Sequence, residues 1–169
     1  MEKENKDELQ KLFDEKQYRT AIVGSGDDFV TNEPKEDKFT SLISLLTDPS
    51  NKDFREETLI TLKKEKAGDL LITAIKSPKG KKYKAVLVAA CWESEINYSN
   101  NLSFFTELVM DPDYLVSLEA ITVIETMEGP FDQKEMQASI NTLKEFKKKI
   151  NTEQLVLIND LVNVLQSRV

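Results

Sequence analysis

YKAVLVAACW, the run from Tyr83 to Trp92, decides the fold of this chain. It carries no charge after Lys84 and mixes small side chains with larger apolar ones. Its apolar residues recur at the three- and four-residue spacing of a helix, and the opposite side of that helix is nearly as apolar. The apolar stripe consists of Tyr83, Val86, Leu87, Ala90 and Cys91. This pattern predicts a buried helix with neighbours on more than one side.

Two other segments align with this run: FREETLITLK from Phe54 and VSLEAITVIE from Val116. Each of the three follows a leucine-containing helical pattern and a proline, so each reads as the second helix of a hairpin. A hairpin that cannot bury its own apolar face is stabilised by stacking on copies of itself. The aligned columns are Phe54, Tyr83 and Val116; Thr58, Leu87 and Ala120; Leu59, Val88 and Ile121; and Leu62, Cys91 and Ile124.

The length of 169 residues and the low glycine and proline content fit a single all-α domain. We expect an N-terminal capping helix region over residues 1–23, a loop over 24–37, three hairpins over 38–128 and a C-terminal hairpin over 129–169. Two helix starts carry a capping-box pattern, in which an acidic residue is followed three residues later by Glu. These are Asp53 with Glu56, and Asp132 with Glu135.

The hairpin pattern resembles the HEAT-repeat family of helical solenoids. LTDPSNKDFREETLITL and LVMDPDYLVSLEAITVI show the family's Asp-Pro turn and small-residue second helix, with IKSPKGKKYKAVLVAAC between them. The family's basic residue after the turn is matched by Arg55 and Lys84, and Ser117 replaces it in the third unit. The resemblance implies a short right-handed superhelix of three to four hairpins, of the α-α superhelix or armadillo-like class. A plain helical bundle is the alternative architecture.

Composition excludes several classes of function. The formal charge is −7 and the pI about 4.8, so the average surface repels nucleic acid. The chain has no His, which removes the commonest general base and nitrogen metal ligand, and no catalytic or metal-binding pattern stands out. Its single cysteine and the lack of a signal or membrane segment favour the cytoplasm. We therefore expect a non-enzymatic protein without a cofactor.

The resemblance points to the concave face of the second helices as the binding surface of a scaffold. There Glu119 and Glu125 would form an acidic strip beside Trp92 and Glu93, suited to a protein or basic peptide. Trp92 also fits a second interpretation, as a packing residue between neighbouring units. Lysines gather over residues 76–84 and 144–149, where helix ends explain most of them.

Two other functions stay open. The apolar C-terminal helix, residues 155–169, would suit a structural subunit or a homodimer. Some HEAT-like proteins bind DNA and excise damaged bases through a basic concave groove, which the acidic character of this chain disfavours.

Overall fold

The structure is a computed structural model that describes residues 35–150 and 153–168, with side chains for residues 39–150 and 154–168. The predicted capping region over 1–23 and residues 24–34 of the predicted loop lie outside the described residues. The described residues from Phe39 onward belong to one compact unit.

The described part of the chain is helical and contains no strand, so the predicted all-α class is confirmed. Its α-helices are α1 (Lys35–Thr47), α2 (Arg55–Lys64), α3 (Gly68–Lys76), α4 (Lys84–Glu93), α5 (Leu102–Val109), α6 (Tyr114–Thr126), α7 (Gln133–Lys147) and α8 (Glu153–Ser167). Short 3-10 helices cover Pro49–Phe54, Gly80–Tyr83 and Ser99–Asn101. α1 begins within the stretch predicted as a loop.

The residue before each proline closes the turn that ends a first helix. The Asp48 carboxylate accepts a hydrogen bond from the Ser50 N–H at 2.9 Å. The Ser77 hydroxyl oxygen accepts from the Gly80 N–H at 2.9 Å, and the Asp111 carboxylate accepts from the Asp113 N–H at 2.9 Å. Short polar side chains favour such local bonds to the backbone, so α1, α3 and α5 all end beside a turn that such a side chain closes.

The first two aligned helices share their register throughout. α2 begins at Arg55 and α4 at Lys84, each after a 3-10 helix, and each contains 10 residues. Two residues past each helix, Lys66 and Glu95 both have φ 52°, the left-handed conformation common after helix ends. All of these landmarks differ by the 29 residues that separate Phe54 from Tyr83.

The third unit starts differently. α6 begins at Tyr114, and the Asp113 side chain caps it by accepting the Leu115 N–H at 3.0 Å. Ser117, at the place of Arg55 and Lys84, therefore lies inside the helix. It is buried, and its hydroxyl donates to the Val109 carbonyl at 2.7 Å, which ties α6 to α5.

Two of the four aligned columns lie wholly in the core, and the other two contain the half-buried Phe54, Tyr83 and Leu59. Thr58, Leu87 and Ala120 are 0% exposed, as are Leu62, Cys91 and Ile124. The predicted stripe was wrong at one position, because Val86 is 38% exposed and Val88 is buried in its place. The inward face of α4 is therefore rotated slightly from the predicted one.

The helices pack in two sets. Second helices contact one another, α4 with α6 and α6 with α8, and the first helices α5 and α7 are also in contact. Each of the hairpins α3–α4, α5–α6 and α7–α8 is closed by contact between its own two helices. Three polar contacts join α4, or the loop after it, to the next unit. Their partners occur in the same order along both segments, so α4 and α6 run in the same direction. They join Lys84 to Asp111, Trp92 to Glu119 and Asn97 to Glu128.

Neither predicted capping box forms in full: the first is wrong, and the second forms only its Asp132 half. Asp53 lies inside the 3-10 helix before α2, and Asp48 caps that segment instead. Asp132 does cap α7, accepting the Glu135 N–H at 2.8 Å. The Glu135 carboxylate does not turn back to Asp132 but accepts the Ser103 N–H of α5 at 2.7 Å, so it caps the neighbouring first helix.

Candidate functional site

Trp92 and Glu119, two of the four predicted contact residues, lie together. The indole Nε1–H of Trp92 on α4 donates to the Glu119 carboxylate on α6 at 2.7 Å. Both side chains are half-buried, so this charge-assisted bond spans the seam between two second helices. The indole therefore contributes to packing between units and leaves only part of its surface open to a partner.

Glu93, the next residue, faces the preceding unit. Its carboxylate accepts hydrogen bonds from Arg55 Nε at 2.9 Å and Nη2 at 2.5 Å, which joins α4 to α2. The two side chains are 26% and 30% exposed, respectively. A second ion pair between these units, Lys63 with Glu95, has a separation of 2.5 Å and is exposed.

Glu125, the fourth predicted residue, stands apart from the other three. Its side chain is exposed, and none of its described hydrogen bonds or ion pairs reaches Trp92, Glu93 or Glu119. Its backbone carbonyl accepts Arg168 Nη2 at 2.8 Å. Arg168 also donates to the Ile124 and Met127 carbonyls, so this side chain caps the C-terminal end of α6.

The exposed large apolar side chains that the structure describes all belong to second helices. Among the side chains described, those of residues 39–150 and 154–168, every one of these lies on α2, α4, α6 or α8. They are Ile60 on α2, Val86 on α4, Tyr114 and Leu115 on α6, and Val156 on α8. We call these five residues the apolar strip. The spacing of apolar residues did not predict their exposure, and it placed Val86 in the core. Periodicity identifies an apolar face of a helix but does not show which edge of that face a neighbouring helix covers.

Two concave features were not predicted from the sequence. A groove of about 280 Å³ lies between the end of α3 and α5, lined by Lys76, Lys81, Lys84, Ile75, Phe104 and Leu108. A more polar cleft of about 460 Å³ lies between the end of α2 and the loop after α4, lined by Lys63, Lys66, Asp69, Asn97, Asn100 and Asn101. One sequence feature could have indicated the groove: lysines cluster over residues 76–84, and no acidic residue occurs between positions 70 and 92.

Nucleophilic and metal-ligating groups are sparse in the described region. No cluster of three or more His, Cys, Asp or Glu residues is arranged there to hold a metal ion. Burial raises the pKa of the Cys91 thiol to about 12, and the nearby Tyr98 hydroxyl opposes this shift only in part. The thiol therefore stays protonated at neutral pH and is a packing group.

Comparisons with known proteins find no match among protein-family models, curated proteins or solved structures. Across the helices that the structure describes, none combines the length and the apolar character needed to cross a membrane.

Proposed function

We propose that this chain is a short helical solenoid of the HEAT type, built from hairpins whose second helices form one layer. The shared 29-residue register of α2 and α4 supports this arrangement. So do the contacts between α4 and α6, between α6 and α8, and between α5 and α7. A stack of this kind presents each layer as a continuous surface, and the second helices form the concave one.

The function that we propose is a non-catalytic scaffold that binds a protein partner on the second-helix layer. The observation that carries it is the apolar strip, whose five residues are confined to this layer among the described helices. Exposed apolar side chains grouped on one surface mark sites of protein association more often than single scattered ones. Trp92 lies on the same layer and supplies a rigid aromatic edge.

The charges on this layer favour a partner with basic residues. Glu56, Glu125 and Asp160 have exposed side chains on α2, α6 and α8. Glu119 is held by the neutral Trp92 indole and keeps its negative charge, whereas the ion pair with Arg55 neutralises Glu93. We therefore propose a protein or basic peptide whose apolar side chains meet the strip and whose basic residues meet the carboxylates other than that of Glu93.

Site-specific photo-cross-linking tests this proposal. Benzoylphenylalanine replaces Leu115 on α6 in one protein and the exposed Ala138 on the first helix α7 in another. After irradiation in an extract of the source organism, we expect a discrete cross-linked partner from position 115 and none from position 138. Mass spectrometry identifies the adduct.

Paired charge substitutions provide the control. Val86→Asp with Leu115→Asp should remove capture of that partner, whereas Thr73→Asp with Ala138→Asp adds the same charge to first helices and should leave it intact. Equal capture by both double variants would contradict binding on the second-helix layer.

A homodimer formed through α8 is the second candidate. Val156 on that helix is 60% exposed, the highest value among the large apolar residues of the described part. Burial of this side chain against a second copy would stabilise a dimer through the hydrophobic effect. Light scattering that gives a monomer mass at every concentration would exclude this candidate.

A further inference from the structure

The turn after α3 builds one wall of the groove between α3 and α5. The Gly80 N–H donates to the Ser77 hydroxyl, and a Cβ on Gly80 would lie 1.9 Å from the Ala74 carbonyl oxygen. Only glycine lets the turn fold this closely onto the helix end. As a result Lys81, just after the turn, lies beside Lys76 at the same groove.

The groove combines an apolar floor with a basic rim. Ile75 and Leu108 in its floor are 3% and 8% exposed, and Phe104 is half-buried. Lys76 and Lys81 on the rim are exposed. The volume of about 280 Å³ has room for one or two side chains of a ligand and not for a large organic cofactor.

The rim lysines are not neutralised by the rest of the described structure. Lys84 at one end is paired with Asp111 at 2.8 Å, and the Lys76 ammonium lies 4.7 Å from the centre of the Phe104 ring. Among the side chains of residues 39–150 and 154–168, no carboxylate forms an ion pair with Lys76 or Lys81. Positive potential therefore persists here on a chain whose formal charge is −7.

We propose that this groove binds an acidic peptide segment that carries one large apolar side chain. The apolar side chain packs on Phe104 and Leu108, and flanking carboxylates meet the ammonium groups of Lys76 and Lys81. A nucleic acid fits less well, because a phosphate backbone extends beyond this short groove onto an acidic surface that repels it. This site is independent of the second-helix layer, since its floor lies on the first helices α3 and α5.

Fluorescence anisotropy with a synthetic peptide tests the proposal on the full chain. The probe is a fluorescein-labelled peptide in which one phenylalanine is flanked on both sides by glutamates. We expect saturable binding, weakened roughly tenfold by the double variant Lys76→Glu with Lys81→Glu. The matched control, Lys79→Glu with Lys82→Glu, adds the same charge to exposed lysines of the same loop that do not line the groove, and should weaken binding less than about threefold.

A second peptide, with serine in place of the phenylalanine, tests the apolar floor on the unaltered protein. Because it forfeits the apolar contact, it should bind roughly tenfold more weakly. Four results would overturn the proposal: no saturation below about 1 mM, equal weakening by both charge variants, equal binding of the serine peptide, or displacement of the probe by duplex DNA at lower concentration than by unlabelled peptide.

Discussion

At the scale of single residues, the core of this protein holds an unusual polar group. Tyr98 is 2% exposed and its ring makes an edge contact with Phe105, with centroids 5.2 Å apart. Its hydroxyl faces the Cys91 thiol and the Ser94 hydroxyl but reaches acceptable hydrogen-bond geometry with neither. Burial, together with the adjacent Cys91, raises the pKa of Tyr98 above its usual range. The ring stabilises the core by packing, whereas the unpaired hydroxyl destabilises it.

Removal of that hydroxyl should not destabilise the protein. We expect Tyr98→Phe to raise the free energy of unfolding by about 1 kcal/mol, because it deletes a buried polar atom that has no partner and keeps the ring. Urea unfolding followed by circular dichroism measures the change. Tyr114→Phe, at a residue that is 46% exposed, should shift it by less than about 0.5 kcal/mol. A clear loss of stability in Tyr98→Phe would show that the hydroxyl has a partner in solution.

At the scale of elements, the helix ends were largely predictable and the ties between helices were not. The prolines at 49, 78 and 112 marked the ends of α1, α3 and α5, because the residue before proline disfavours helical backbone. The Asp53 capping box failed because Asp48 caps the segment five residues earlier. The Trp92 bond to Glu119 joins residues 27 positions apart, and no local pattern reports such a distance.

The ion pair between Lys84 and Asp111 should give the protein a pH dependence. Burial opposes ionisation of Asp111, but hydrogen bonds from Lys84 and the Asp113 N–H, with the Lys84 charge, hold its pKa below the usual range. A carboxyl whose pKa is lower in the folded state stabilises the fold at pH values above its unfolded pKa of about 3.9. That contribution is lost as the pH falls through the folded pKa. We expect Asp111→Asn to cost about 1 kcal/mol at neutral pH.

The difference in free energy of unfolding between Asp111→Asn and the unaltered protein should shrink towards zero as acid protonates Asp111. Denaturant unfolding at a series of pH values measures it. Asp113→Asn is the control, since Asn caps a helix as well as Asp does and Asp113 has no ion pair among the described residues. A difference for Asp111→Asn that is constant from neutral to acidic pH would rule out the charge as its source.

At the scale of the whole described unit, stability depends on contacts between successive hairpins. α8 buries Ile158, Leu161 and Leu165 completely, in contact with α6 and α7. The two-layer packing followed from the aligned columns, since Leu62, Cys91 and Ile124 are all fully buried. The exposure of Val86 and Leu115 did not follow, because a local apolar spacing does not report which side of a helix its neighbours leave open.

Removal of α8 should therefore affect the entire stack. A chain that ends at residue 149 exposes the apolar faces of α6 and α7, and we expect it to lose cooperative urea unfolding and to bind a hydrophobic dye. A chain that ends at Ser167 loses Arg168 and its hydrogen bonds to the end of α6, and should lose only about 1–2 kcal/mol. Cooperative unfolding of the shorter chain would mean that the helices up to α7 are stable without α8.

If the proposed solenoid is correct, the constant register of α2 and α4 makes residues 49–77 one repeat unit, which we call the cassette. Residues 49–77 begin with a proline and end on the residue before the next proline. They also contain a complete second helix, its left-handed exit residue Lys66 and the following first helix. A duplicate of this cassette, inserted after Ser77, would preserve the residue pairs at both junctions. Tandem duplication of this kind offers a simple route by which such a protein could lengthen, in evolution or by design, without a new hydrophobic core.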